Sequence, residues 1–172
     1  MESSFPETSI YVICNEPNVK DMRKIETQIH IKASPAAVWA QLVDFERYPE
    51  WNPFLISVVG KAEVGGYLKN TIRNGERKEM KFEPEVLEVL TQKELRWKGK
   101  LFVQGLFDGE HYFRLSETTE GETLLTHGEN FTGVLSSVLY AMIGKDTQVG
   151  FEAMNKALKA RVEQMEKEAA HA

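Results

Sequence analysis

The sequence predicts an α+β fold: a curved antiparallel sheet of about six or seven strands, wrapped on a long C-terminal helix, with two short helices after the first strand. Two observations carry this. From residue 55 to residue 133 strand-like runs follow one another, separated by turn-forming residues at short, regular spacing. Thereafter Phe151, Met154, Leu158, Val162 and Met165 recur at spacings of three and four, the stripe of an amphipathic helix. A sheet of that size has two faces, and when one is solvated the helix must cover the other.

Taken in order, residues 1–23 read as an N-terminal extension and 24–168 as the domain. The extension holds Pro6, Asn15 and Pro17 around one apolar run, Ile10-Tyr11-Val12-Ile13-Cys14, which can add an edge strand. Cys14 is the lone cysteine, so an intrachain disulfide is excluded. With no activating base nearby it reads as a small apolar residue rather than a nucleophile. Residues 25–31 alternate apolar and polar, a half-buried strand with Ile25, Ile29 and Ile31 on one face. Ser34 suits a helix N-cap and Pro35 the first helical position, and Val38, Trp39 and Leu42 give that short helix an apolar stripe. Pro49 and Pro53 bracket an aromatic cluster that no long helix can cross, so a short helical turn and a tight loop follow.

Strands are expected over 55–63, 67–74, 77–90, 93–103, 107–117 and 122–132. Their breaks fall at Gly65-Gly66, Asn74-Gly75, Gln92, Gly105 and Glu120-Gly121. Pro84 inside the 77–90 run implies a bulge or an edge position. The apolar stretch Val134–Ile143 ends at Gly144, and Asp146 or Thr147 caps a separate helix over 146–167.

Composition narrows the function classes. With 42% hydrophobic and 27% charged residues the chain is an ordinary globular protein. A net charge of −5 leaves no electrostatic footprint for nucleic acid. The start of the chain lacks a signal-peptide pattern, and no apolar run approaches the ~18 residues of a spanning helix, so the expected compartment is the cytoplasm, without integral membrane association.

Three local patterns in this order resemble the SRPBCC superfamily, the helix-grip group of START lipid-transfer domains, birch-pollen-allergen-like proteins and polyketide cyclases. They are Ser34-Pro35-Ala36-Ala37-Val38-Trp39, Tyr48-Pro49-Glu50-Trp51-Asn52-Pro53, and Phe131-Thr132-Gly133 ahead of Gly150-Phe151-Glu152-Ala153-Met154-Asn155. The closest likeness is to the polyketide cyclase/dehydrase-like branch. The resemblance implies a ligand cavity between helix and sheet. It does not imply a reaction, since carriers, sensors and enzymes share the fold.

Strand parity places the candidate chemistry. His111, Phe113 and Leu115 share one face of their strand, and Leu125, His127, Glu129 and Phe131 one face of the next. A register pairing Leu115 with Leu125 sets Phe113 opposite His127 and His111 opposite Glu129. A carboxylate beside a histidine in an apolar pocket can orient a ligand oxygen, serve in acid–base catalysis, or fix the hairpin. Trp97, on the face of Leu95, is a candidate cavity wall. Phe151, Met154 and Leu158 are the helix residues expected to face the ligand, with Met142 and Met165 as further pocket candidates. Asp108, Glu110 and Lys98-Gly99-Lys100 read as solvated positions. No tight ligand spacing supports a metal, no phosphate loop is present, and no cofactor is expected.

The leading expectation is a protein that binds a hydrophobic or amphipathic small molecule, lipid- or polyketide-like, in the cavity. Two alternatives stay open: a cofactor-independent cyclase, dehydratase or hydrolase using His111, His127 and Glu129, and a co-chaperone-like interaction module with a closed cavity. Oligomeric state is not set by the sequence.

Overall fold

The computed structural model describes residues 22–73, 79–100 and 105–171. The extension expected over 1–23, with Cys14 and its strand, lies outside these residues except for Met22 and Arg23. The elements are β1 (Arg23–Ile31), α1 (Pro35–Val43), a 3-10 turn (Phe45–Arg47) running into α2 (Tyr48–Trp51), β2 (Leu55–Val59), β3 (Lys69–Ile72), β4 (Met80–Phe82), β5 (Glu85–Leu90), β6 (Glu94–Lys100), β7 (Asp108–Glu117), β8 (Thr123–Thr132) and α3 (Ser136–Ala169). The described strands form two antiparallel sheets, one in the order β1-β8-β7-β6-β5 and one in the order β2-β3-β4.

Local chemistry sets the boundaries. The Ser34 hydroxyl accepts from the Ala37 N–H at 3.3 Å and Pro35 opens α1, so two of the orphan donors of the first turn are dealt with at once. Asn52 Oδ1 accepts from the N–H groups of Phe54 and Leu55 at 3.0 and 2.9 Å, turning the chain from α2 into β2. Gln92 adopts a φ of +62° in the two-strand turn between β5 and β6.

Pro84 resolves the expected 77–90 strand into two. It cannot donate to a ladder, and the chain uses it as the corner between β4 in the small sheet and β5 in the large one. The Pro84 carbonyl accepts from the Leu68 N–H at 2.9 Å, and Val86 exchanges bonds with Gly65 and Gly66, so the two sheets are joined at this corner.

The expected helix break at Gly144 does not occur. A single helix of 34 residues, about 51 Å long, runs from Ser136 to Ala169. A helical glycine costs about 1 kcal/mol relative to alanine, which packing offsets: Gly144 is buried on the inner stripe with Thr147, Gly150, Phe151, Met154, Asn155, Leu158 and Val162. The stripe ends at Val162, because Met165 and Met142 are 45% and 65% exposed and line nothing inside. Ties to the rest of the chain hold the far end of α3. Lys159 Nζ donates to the His30 carbonyl at 2.6 Å, Glu163 accepts from the Lys32 N–H at 2.8 Å, and Arg161 donates to Gln41 and Glu50. Close packing near its middle depends on Gly150, where an added Cβ would overlap the Phe54 ring.

Asp108, expected in solvent, is buried; it accepts from the Gly105 N–H at 3.1 Å and faces Lys98 Nζ at 3.4 Å. The paired charge is what makes its burial tolerable.

Candidate functional site

The observed β7–β8 register sets His111 opposite Glu129, Phe113 opposite His127 and Leu115 opposite Leu125. All six side chains stand on the concave face toward α3, and a directed hydrogen-bond chain reaches the two histidines through Thr27 and Asn155. Thr27 Oγ1 donates to the His127 carbonyl at 3.2 Å and accepts from Asn155 Nδ2 at 2.9 Å, which fixes the Asn155 amide with Oδ1 toward His127. His127 Nδ1 lies 2.8 Å from that Oδ1 and therefore carries a proton. His127 and His111 meet through their Nε2 atoms at 2.9 Å.

Protonation follows from burial. His127 is driven well below the usual imidazole range by burial and by His111, against the opposing bond to Asn155, and burial lowers His111 to about 3. Both rings are neutral, so His127 Nε2 accepts and His111 Nε2–H donates. His111 Nδ1 is then an unprotonated acceptor, 3.7 Å from the Glu129 carboxyl. Burial raises that carboxyl to about 8, so at neutral pH Glu129 is an acid with a proton to give. The surroundings account for this. Trp97 stacks on His111 with centroids 4.9 Å apart, and Phe151 stacks on His127 at 3.9 Å. Gly109 leaves the room that Glu129 occupies, since a Cβ there would overlap its carboxyl.

A cavity of about 90 Å³ opens beside this chain, between β6–β8, the small sheet and the first half of α3. By that measure one water needs only ~10–15 Å³. Trp97, His111, Glu129 and Phe131 line it, opposite Phe54, Asn70, Ile72 and Phe82, with Ile143 and Thr147 from α3. The lining is predominantly apolar, as small-molecule sites are. Exposed Met80 and Lys100 stand at its rim.

Of the residues expected to touch a ligand, four therefore line the cavity. Phe113, His127, Phe151, Met154 and Leu158 do not; they are fully buried behind it, and α3 reaches the cavity about one to four turns earlier, at Ile143 and Thr147. Sequence reasoning missed Thr27, Asn155, Gly109 and Asn70. Asn155 carried a signal: it sits four residues after Phe151 and three before Leu158, a polar residue on the apolar stripe. The closed cavity expected of an interaction module is not what is observed.

Comparison with known proteins decides the family. The family described as polyketide cyclase / dehydrase and lipid transport matches residues 22–163. The chain belongs to this family. Solved structures agree on the fold of this polyketide cyclase/dehydrase relative. A START superfamily protein from Mycobacterium smegmatis aligns with TM-score 0.67 at 21% identity, over 83% of this chain and 98% of that one. The di-domain ARO/CYC StfQ of the steffimycin biosynthetic pathway aligns with TM-score 0.68 at 14% identity, over 86% of this chain and 52% of that one, about half its length. A point mutant of norcoclaurine synthase from Thalictrum flavum, bound to a transition-state analogue, gives TM-score 0.63 at 12% identity, over 84% and 96%. No curated protein matches the sequence significantly. At these identities the solved relatives establish the helix-grip fold of this family member and no particular ligand.

Proposed function

We propose that the protein binds a small, neutral, mainly apolar molecule through an oxygen atom held at Glu129. The observation that carries this is the Glu129 carboxyl on a mainly apolar cavity wall beside His111, where burial raises it to about 8 and so keeps its proton on at neutral pH. Such an acid donates a hydrogen bond to a carbonyl or hydroxyl oxygen and, being uncharged, costs little desolvation when the ligand seals the site. The family's association with polyketide and lipid ligands supports the same reading. Native mass spectrometry after gentle purification tests it: a retained neutral ligand is expected, displaced by Glu129→Leu. Retention of the same ligand at full occupancy by that variant would overturn Glu129 as the anchor.

A second reading follows from the Glu129–His111 pairing, one proton donor beside one empty acceptor. Together they suit elimination of water from a β-hydroxy carbonyl compound. His111 Nδ1 takes the α-proton, the C=C bond forms as the C–O bond breaks, and Glu129 gives its proton to the departing hydroxyl. The imidazolium then returns its proton to the Glu129 carboxylate, so the site is neutral before and after. On an identified substrate, Glu129→Gln and His111→Ala should each lose turnover while the fold is kept; full activity in both would exclude the reading.

A further inference from the structure

The cavity that Glu129 lines also holds, on the small sheet, a polar group with no partner among the described residues. Asn70 on β3 pairs with Val58 and Phe82 in its sheet and lines the cavity among Leu55, Ile72, Met80 and Phe82. It is only 3% exposed, and its Oδ1 is buried with no hydrogen-bond partner among the described residues. A buried amide oxygen left unpaired costs about 1–3 kcal/mol, so such groups call for an explanation in what completes them. Its cross-strand neighbours, Val58 and Phe82, are both apolar, and a leucine of similar size would pack with the other apolar residues of this wall. Other polar residues of the site behave differently. Asn155 and Thr27 spend their groups on the histidine chain.

We infer that Asn70 is a ligand-recognition residue, and that the molecule taken by this cavity carries a hydroxyl for it besides the oxygen held by Glu129. This rests on the binding reading above and narrows it. A half-turn of the amide presents either oxygen or nitrogen to the cavity, and a hydroxyl satisfies both, since it donates and accepts. Size limits the enclosed part. A dry cavity of ~150 Å³ takes benzene, so about 90 Å³ encloses less than one whole ring and the rest of the ligand extends past the rim. The class is thus a hydroxy-carbonyl compound of which only part lies inside the cavity.

The test uses three single-ring probes against the full-length protein: para-hydroxyacetophenone with both oxygens, acetophenone without the hydroxyl, and para-ethylphenol without the carbonyl. Affinities are measured by calorimetry or ligand-detected NMR for the wild type and Asn70→Leu. The wild type should bind para-hydroxyacetophenone about tenfold more tightly than acetophenone. Asn70→Leu should erase that difference, weaken para-ethylphenol, and leave acetophenone unchanged or tighter. Its melting temperature should match or exceed the wild type's, because an unpaired polar group is gone. Equal weakening of all three probes, or discrimination that survives the substitution, overturns the role of Asn70 alone. Failure of the wild type to bind any probe overturns the binding reading and this inference with it. If Asn70→Leu does not fold, Asn70→Ala makes the same comparison.

Discussion

At the scale of the residue, the protonation pattern is set by one hydroxyl. Thr27 Oγ1 must donate to a backbone carbonyl, and every proton downstream follows, through Asn155 and His127 to His111. Nitrogen-15 spectra of the imidazoles should show His127 as the Nδ1–H tautomer and His111 as the Nε2–H tautomer at pH 7. The reverse pair would contradict the chain. Glu129 gives a stability test with a definite sign. Unfolded, it ionises near 4.5; folded, it keeps its proton to about 8, so in that window the folded state binds more protons and stability falls as pH rises. Unfolded histidines are half protonated at about 6.5 and largely neutral a pH unit higher, where Glu129 acts almost without them. Urea unfolding between about pH 7.5 and 8 should lose stability as pH rises, with a slope below the ~1.4 kcal/mol per unit of one full proton, and Glu129→Gln should abolish the loss. Below 6.5 the sign reverses for His111 and His127, whose folded values are depressed and whose stabilisation is lost as the unfolded state takes up protons.

At the scale of the element, α3 does two jobs along one stripe. Asn155 anchors the histidine chain, and Asn155→Leu should cost about 1–3 kcal/mol by leaving the His127 Nδ1–H buried without an acceptor, measured by chemical denaturation. Gly150 lets the helix approach Phe54, and Gly150→Ala should cost about 1–3 kcal/mol by overpacking. Strand parity made His111, Glu129 and Trp97 legible in the sequence, because a period of two fixes the face once the register is fixed, and the paired leucines Leu115 and Leu125 fixed it. Helix continuity was not legible. Gly144 carries a stop signal whose cost is about 1 kcal/mol, and only the packing of the finished fold shows that it is overridden. Nor could periodicity tell which part of the stripe meets the cavity: Phe151, Met154 and Leu158 are as apolar as lining residues would be, yet the sheet closes over them.

At the scale of the whole molecule, the cavity exists because the chain changes sheets at Pro84. The small sheet folds over the open end of the large one, and the space left under it is bounded by β6–β8 and the first half of α3. The helix-grip arrangement was readable from element order, and the family match over residues 22–163 agrees. Asn70, Gly109 and Thr27 were not, because each matters only through what faces it from a distant part of the chain. Among the described residues no helix is long and apolar enough to cross a membrane. What the three layers make together is a low-dielectric pocket in which a carboxyl stays neutral. A carbon-13 titration of the Glu129 carboxyl, in the folded protein and again in urea, measures that directly. The account predicts half-titration near 8 when folded and near 4.5 when unfolded. A folded value close to 4.5 would mean an ionised, hydrated carboxylate in the cavity, and would contradict both the neutral-ligand site and the proton donor assigned to it.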